Sequence, residues 1–315
     1  MLEKPALHKC ISKRPQHRLL AAILTLSLLF AFAGCRANGN SDTEGQLPNA
    51  DDLSIVTSFL PIYIFTANLI AGIEGIRLAN MAAPETGCLH DYQLLPSDLV
   101  KLTAADLFVI NGAGMEGFLT DLAERAGELP IIEASQGIEL LNSADGTGNP
   151  HVWLSVRKAI CQVHNISQGL QMASPAHAKA IMANEQAYVA RLEQLQARFT
   201  AELKQFAGSE IITFHEAFPY LADEYGLTIA AVIEREPGSE PAAAELAATI
   251  DLIKDQGIKA LFAEPQYSTK VAETIARETG AVIYTLDPVV TGELAAGTYE
   301  KVMEKNLQVL LQALQ

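Results

Sequence analysis

Three histidines and one aspartate stand where predicted β-strands or the loops after them end: His90, His151, His215 and Asp287. Histidine is scarce in this chain, which has only seven in 315 residues. Of the others, His164 and His177 fall in helical patterns, where a solvated or capping role is expected. Three neutral imidazoles and a carboxylate make a four-coordinate nitrogen and oxygen ligand set that suits Zn²⁺. These residue types therefore predict a zinc site, provided that the fold brings them together.

Two further polar residues adjoin this set. Cys88 precedes His90 by two positions and is a candidate accessory thiolate ligand, although burial or a disulfide is the first expectation for it. Cys161 lies in a helical pattern and is expected to be a small buried residue. The sequence leaves open whether Cys88 and Cys161 pair, because pairing depends on their geometry. Glu216 follows His215 directly and is expected to orient that histidine or to face solvent, not to bind the metal.

The elements that must position these residues alternate between strand-like and helix-like segments, once in each half of the chain. This alternation predicts an α/β fold of two (βα)4-type lobes, each with a parallel sheet covered by helices. We expect the strands at residues 53–59, 77–81, 106–111 and 130–133, and then at 210–213, 228–233, 259–263 and 281–285. Open α/β sheets bind ligands beyond the carboxyl ends of their strands. The metal site is therefore expected in the cleft between the lobes.

One long helix is predicted between the lobes. Ser174 and Pro175 are a strong helix start, and the stretch from there to about Phe206 has no interior glycine or proline. A helix of roughly thirty residues is far longer than the usual ~11–12 and is better suited to joining two lobes than to a crossover within one. The predicted organisation is an N-terminal lobe over 51–173, a linking helix over 174–207 and a C-terminal lobe over 208–315.

The N-terminus has the pattern of an export signal. Five basic residues precede an uncharged run from Leu19 to Ala33, which is short for a membrane-spanning helix. Ala33-Gly34-Cys35 resembles a bacterial lipobox, so residues 1–34 are predicted to be a lipoprotein signal peptide and Cys35 to be lipidated. The alternative is ordinary secretion with Cys35 as a free thiol. Residues 35–50 are rich in Asn, Gly, Ser and Asp and are predicted to be a flexible tether.

The net charge of the chain limits the kinds of binding partner that are expected for it. The formal net charge is −15, and removing residues 1–34 would take away five basic residues and one acidic residue, which leaves −19. Such an acidic protein is a poor partner for nucleic acid or an anionic membrane surface and is compatible with a cation.

Several motifs together resemble one known family. They are Thr57-Ser58-Phe59-Leu60-Pro61-Ile62-Tyr63, His90-Asp91-Tyr92, Asn111-Gly112-Ala113-Gly114-Met115-Glu116, Pro150-His151-Val152-Trp153-Leu154, His215-Glu216-Ala217-Phe218-Pro219-Tyr220 and Leu286-Asp287-Pro288. Their order along most of the chain is similar to that of the metal-binding lipoproteins of zinc and manganese ABC importers. The resemblance implies two lobes joined by a long backbone helix.

The resemblance also implies a ligand set and a metal. It makes His90, His151 and His215 the metal ligands and Asp287 the fourth, and a histidine at position 215 resembles the zinc branch more than the manganese branch. Asn149 departs from the more usual aspartate before Pro150, and this removes a possible acceptor for His151. Residues 142–148 are short and contain no histidine, so a metal-gathering loop is not expected.

The function implied is extracytoplasmic capture of Zn²⁺, or less favourably Mn²⁺ or iron, and its delivery to an ABC permease and its ATPase. We expect a monomer that is held at the membrane by a lipid anchor and that catalyses no reaction. A different class of function is a secreted metal-dependent hydrolase, in which Glu216 would activate a metal-bound water. A second is a surface adhesin for which metal binding is incidental.

Overall fold

The structure is a computed structural model that describes residues 52–90, 92–119, 129–143, 146–233, 241–266 and 268–315. The predicted signal peptide, the lipidation site Cys35 and the predicted tether lie outside these residues. Residues 48–315 form one compact unit, which holds every described helix and strand.

The first parallel sheet is built from the N-terminal half of the chain. Its strands are β1 Leu53–Thr57, β2 Ile76–Asn80, β3 Leu107–Ile110 and β4 Ile131–Glu133. They lie in the order β2-β1-β3-β4, and each neighbouring pair is parallel. Every residue of β3 is buried, as expected for an inner strand of a sheet that is covered on both faces.

The second sheet repeats this arrangement. Its strands are β5 Glu210–Thr213, β6 Thr228–Val232, β7 Ala260–Ala263 and β8 Val282–Thr285. The order is β6-β5-β7-β8, again with parallel neighbours. In the first sheet β1 lies between β2 and β3, and in the second sheet β5 lies between β6 and β7. The direction in which strands are added therefore reverses at β1 and at β5. The carboxyl ends beside such a reversal form the usual ligand-binding crevice.

Eight α-helices lie in the described part of the chain. They are α1 Leu60–Leu69, α2 Pro96–Thr103, α3 Val156–Ala173, α4 Ala178–Leu203, α5 Pro219–Tyr225, α6 Ala243–Gln256, α7 Lys270–Thr279 and α8 Thr298–Ala313. Prolines in the first turns of α1, α2 and α5 preset the helical backbone where no intrahelical donor is needed. A short 3₁₀ turn, Val152–Leu154, precedes α3.

The long helix α4 joins the halves that carry the two sheets. Its 26 residues span about 39 Å, and its buried positions repeat every three, four or seven residues along one face. The helix begins at Ala178, later than predicted. The hydroxyl of Ser174 is 2.8 Å from Nδ1 of His177 in the preceding turn and does not cap the first helical turn. The fold class of two parallel α/β lobes with a long helix is confirmed.

The C-terminal helix α8 contacts β8 of its own sheet and also packs on helices outside its own lobe. It packs against α4 and α1, and its buried residues belong to the same hydrophobic core as the first sheet. Ion pairs between Arg191 and Glu300 and between Arg198 and Glu304 lie along the contact with α4. The second sheet has its own smaller core. The lobes are thus tied together by α8 as well as by α4, which the sequence pattern did not predict.

Candidate metal centre

Four side chains from both lobes converge at the carboxyl ends of the sheets. They are Cys88, His90, His151 and His215, and one potential ligand atom from each lies within 4.8 Å of the corresponding atoms of the other three. Nε2 of His90 is 3.2 Å from Nε2 of His151, whose Nε2 is also 3.6 Å from Sγ of Cys88. The His215 ring lies 4.8 Å from the His151 ring between centroids. The structure therefore brings three of the four predicted ligands together, with a thiol beside them.

Cys88 and His90 are presented by the loop that follows β2. Gly87 has a φ of +84°, a conformation that lets the chain turn into this segment at little steric cost. Leu89 is fully buried in the core and anchors the segment. From this segment both Cys88 and His90 reach Nε2 of His151.

His151 is held by the buried residue Asn149. The Asn149 side-chain oxygen accepts hydrogen bonds from the backbone N–H of His151 and from its Nδ1, both at 3.0 Å. The amide nitrogen of Asn149 donates to the carbonyl of Glu216 in the second lobe, which fixes the orientation of the amide. Nδ1 of His151 is therefore the protonated nitrogen, and the Nε2 lone pair faces the cluster. The expected loss of an acceptor at position 149 is wrong, because the amide oxygen takes that role.

His215 is held by a carboxylate that the sequence analysis missed. It follows β5 directly, and its Nδ1 lies 3.1 Å from Oε1 of Glu264, which follows β7 directly. Both side chains are buried. Because β5 and β7 are neighbours, their carboxyl ends bring the two residues together. The same signal that identified the histidines, a polar residue just after a buried strand, would have identified Glu264.

The electrostatics of the cluster favour a neutral His151 imidazole. Burial lowers the pKa of His151 well below its ordinary value, and the neighbouring His215 and His90 lower it further. A neutral imidazole is the form that binds a metal ion. His151 and His215 are buried whereas Cys88 and His90 are half-buried, so solvent reaches the cluster from the side of the loop after β2.

Asp287 and Glu216 lie outside this group of four in the described part of the chain. Oδ1 of Asp287 accepts a hydrogen bond from the backbone N–H of Val289, a residue with a φ of +62°. Burial raises the pKa of Asp287 above its ordinary value. Its carboxylate thus stabilises a turn, and its role as the fourth ligand stays a prediction. Glu216 contributes its backbone carbonyl, the acceptor for Asn149.

The remaining cysteine and histidines have other surroundings. No disulfide joins the two described cysteines, and Cys161 is exposed on α3. The expectation that Cys161 is buried is wrong, because its position lies off the helix face that packs on the core. His164 pairs with Glu185 on α4, and His177 contacts Ser174. Neither histidine belongs to the cluster.

Known proteins match this chain over most of its length. The family model described as "Zinc-uptake complex component A periplasmic" matches residues 55–313. The "High-affinity zinc uptake system protein ZnuA" of Bacillus subtilis (strain 168) is 32% identical over 311 residues, which cover 91% of this chain and 97% of the relative.

Two solved structures show the same fold. One is described as the solute-binding protein FpvC from Pseudomonas aeruginosa in complex with Mn²⁺; it has a TM-score of 0.76 and 32% identity over 84% of this chain and 98% of its own. The other is described as a crystal structure of ZnuA; it has a TM-score of 0.74 and 30% identity over 84% of this chain and 100% of its own. The residues matched by the family model, 55–313, fall within the compact unit 48–315.

Proposed function

The chain belongs to the family of periplasmic zinc-uptake components, and on this premise we propose that it captures Zn²⁺ outside the cytoplasm for delivery to an ABC importer. His90, His151 and His215 are the ligands in this proposal. The observation that carries it is the convergence of these imidazoles from both lobes, with the Nδ1 atoms of His151 and His215 facing Asn149 and Glu264.

The hydrogen bonds behind the imidazoles have a defined role. A metal-binding histidine usually donates its other N–H to a carboxylate or carbonyl group, which fixes the ring and makes the ligating nitrogen more basic. His151 and His215 both have such an acceptor, and both direct Nε2 into the cluster. These hydrogen bonds hold the two rings in the orientation that metal binding needs.

The ligand types support zinc over manganese. Imidazole nitrogen suits Zn²⁺, whereas Mn²⁺ prefers carboxylate, carbonyl and water oxygens. The cluster contains three imidazoles and no carboxylate among the described residues. The Bacillus subtilis relative is named for zinc uptake, whereas FpvC was solved in complex with Mn²⁺. Proteins of this fold therefore bind different metals, and the ligand types of each chain must be considered.

Delivery requires that the protein stay near its membrane partners. Among the described residues, no helix has both the length and the apolar character needed to cross a membrane. We propose that residues 1–34 are a lipoprotein signal peptide, that lipidated Cys35 anchors the protein, and that residues 35–50 form the tether. The loaded protein then docks, as a monomer, on a permease that an ATPase drives. No catalytic step is required of this chain.

Zinc uptake by cells of the source organism tests this proposal. Cells that lack the chain are expected to accumulate less zinc in zinc-limited medium, and the wild-type gene is expected to restore uptake. The His215→Ala variant should not restore it. The control His177→Ala removes a histidine outside the cluster and should restore it. Full uptake with His215→Ala, at equal protein level, would contradict the proposal.

A further inference from the structure

We propose that Cys88 is the fourth metal ligand, so that this chain binds Zn²⁺ through three imidazoles and a thiolate. This inference rests on the proposed zinc-binding function and names a residue that would set its metal specificity. It assigns the fourth position to the loop after β2 and not to Asp287.

The first support is distance. For a tetrahedral zinc ion with Zn–N of about 2.0–2.1 Å and Zn–S of about 2.3 Å, two ligating nitrogens lie about 3.3–3.4 Å apart and a nitrogen and a sulfur about 3.6 Å apart. The Nε2 atoms of His90 and His151 are 3.2 Å apart, and Sγ of Cys88 is 3.6 Å from Nε2 of His151. Both pairs are close to the tetrahedral spacing.

The second support is the number of groups that meet at one lone pair. Nδ1 of His151 donates to Asn149, so Nε2 has a single lone pair for the cluster. Both His90 and Cys88 lie within hydrogen-bond distance of that one nitrogen. His215 adds a third imidazole, whose Nδ1 faces Glu264. A cation at the point of convergence would bind the lone pairs of all three imidazoles and of the Cys88 sulfur at the same time. Hydrogen bonds among these groups cannot do so, because each bond needs a donor as well as a lone pair.

The third support is the way in which the protein holds the thiol. The buried Leu89 anchors the segment between Cys88 and His90, so both side chains reach the cluster from one anchored loop. Asp287 differs, because its carboxylate oxygen is engaged by the backbone N–H of Val289. In the described part of the chain Asp287 lies outside the group of four, whereas Cys88 belongs to it.

Thiolate ligation has a defined stoichiometry and a defined effect on metal choice. When Zn²⁺ binds, a Zn–S bond forms, the S–H bond breaks and the proton leaves to solvent, with no change in oxidation state. Thiolates are soft ligands that favour Zn²⁺ over Mn²⁺. Cys88 is therefore expected to increase the preference for zinc within a site of three histidines.

Cobalt substitution tests the inference on the compact unit 48–315, which excludes Cys10 and Cys35. The metal-free protein is titrated with Co²⁺ alone, and the near-ultraviolet charge-transfer band of a cobalt–thiolate bond is recorded. The wild type and the control Cys161→Ser, which removes the exposed cysteine, should show the band. The Cys88→Ser variant should lack it.

Competition titrations then measure affinity. Loss of a hydrogen-bond partner behind a metal ligand lowers affinity ~10–100-fold, and loss of a ligand itself should cost at least as much. The affinity of Cys88→Ser for Zn²⁺ should therefore fall by at least this factor. Its affinity for Mn²⁺ should change by less than about threefold, because thiolate is a poor ligand for Mn²⁺. A wild type that binds zinc through His215 but shows no thiolate band would overturn this inference and leave the proposed function intact. A wild type that binds no zinc would contradict both.

Thiol alkylation supplies a measurement that needs no variant, in case Cys88→Ser does not fold. Stoichiometric Zn²⁺ should slow the alkylation of Cys88 by iodoacetamide in the wild-type protein at least tenfold, while Cys161 reacts at an unchanged rate. The two rates are read from the corresponding peptides by mass spectrometry. Equal alkylation of Cys88 with and without bound zinc would overturn the assignment.

Discussion

Replacing Glu264 with glutamine should weaken zinc binding without unfolding the protein. Glu264 Oε1 lies 3.1 Å from Nδ1 of His215, and its Oε2 accepts a hydrogen bond from Gln266. Glutamine keeps the size of the side chain and an oxygen for His215 but removes the negative charge. The charge is what makes the ligating nitrogen of His215 more basic.

The size of the effect follows from the change of a charged acceptor to a neutral one in the hydrogen bond with His215. A hydrogen bond to a charged group contributes about 1.5–3 kcal/mol and one between neutral groups about 0.5–1.5 kcal/mol, so the difference is about 1–1.5 kcal/mol. That difference corresponds to a roughly 5- to 13-fold lower affinity. The pair is buried, so solvent does not screen the loss.

The fold should tolerate this change. In the described part of the chain Oε1 of Gln266 is buried without a hydrogen-bond partner. If the Gln266 amide turns over, that oxygen can accept from the new amide at position 264. The metal-free variant should therefore unfold at nearly the wild-type temperature.

Isothermal titration with Zn²⁺ in the presence of a competing chelator measures the change on residues 48–315. The control Glu278→Gln makes the same change of charge at an exposed position on α7 of the same lobe. It should leave zinc affinity unchanged. Equal affinities of Glu264→Gln and Glu278→Gln would refute the role of Glu264.

Two further predictions concern stability. The buried indole of Trp153 donates a hydrogen bond to the carbonyl of Pro288 at 2.7 Å. Trp153→Phe should therefore lower the free energy of unfolding by about 2–4 kcal/mol. Denaturant unfolding measures this change, and an unchanged midpoint would contradict the prediction. Burial raises the pKa of Glu116 to about 7, against hydrogen bonds that lower it. Since the folded state then keeps a proton that the unfolded state releases, stability should fall by about 3 kcal/mol as the pH rises from about 4.5 to 7. Glu116→Gln should lack this part of the pH dependence, and an identical pH profile of unfolding would contradict the assignment.

The strands were predictable from the sequence because each is a short apolar run bounded by turn residues. Every one of the eight observed strands lies within or one residue beyond a predicted range. The histidines were predictable for a related reason, since a parallel sheet places the residue after each strand at one edge. His215 after β5 is the direct case, and Glu264 after β7 follows the same rule.

What the sequence left open depends on contacts between distant segments. Nothing local to Asn149 indicates that its amide would bridge to Glu216 in the other lobe. The packing of α8 on α4 depends on tertiary contacts and not on the helical pattern of either segment. Cys161 was misplaced because a small residue in an amphipathic helix gives a weak indication of the face on which it lies.

Competition between Zn²⁺ and Mn²⁺ for the compact unit 48–315 tests the central claim most directly. The wild type and the control His177→Ala should each bind one equivalent of Zn²⁺ tightly and Mn²⁺ much more weakly, and His215→Ala should lose tight zinc binding. Thermal unfolding with each metal gives an independent reading, because a ligand that binds only the folded state raises Tm. Tight zinc binding by His215→Ala, or equal affinity of the wild type for both metals, would contradict the account.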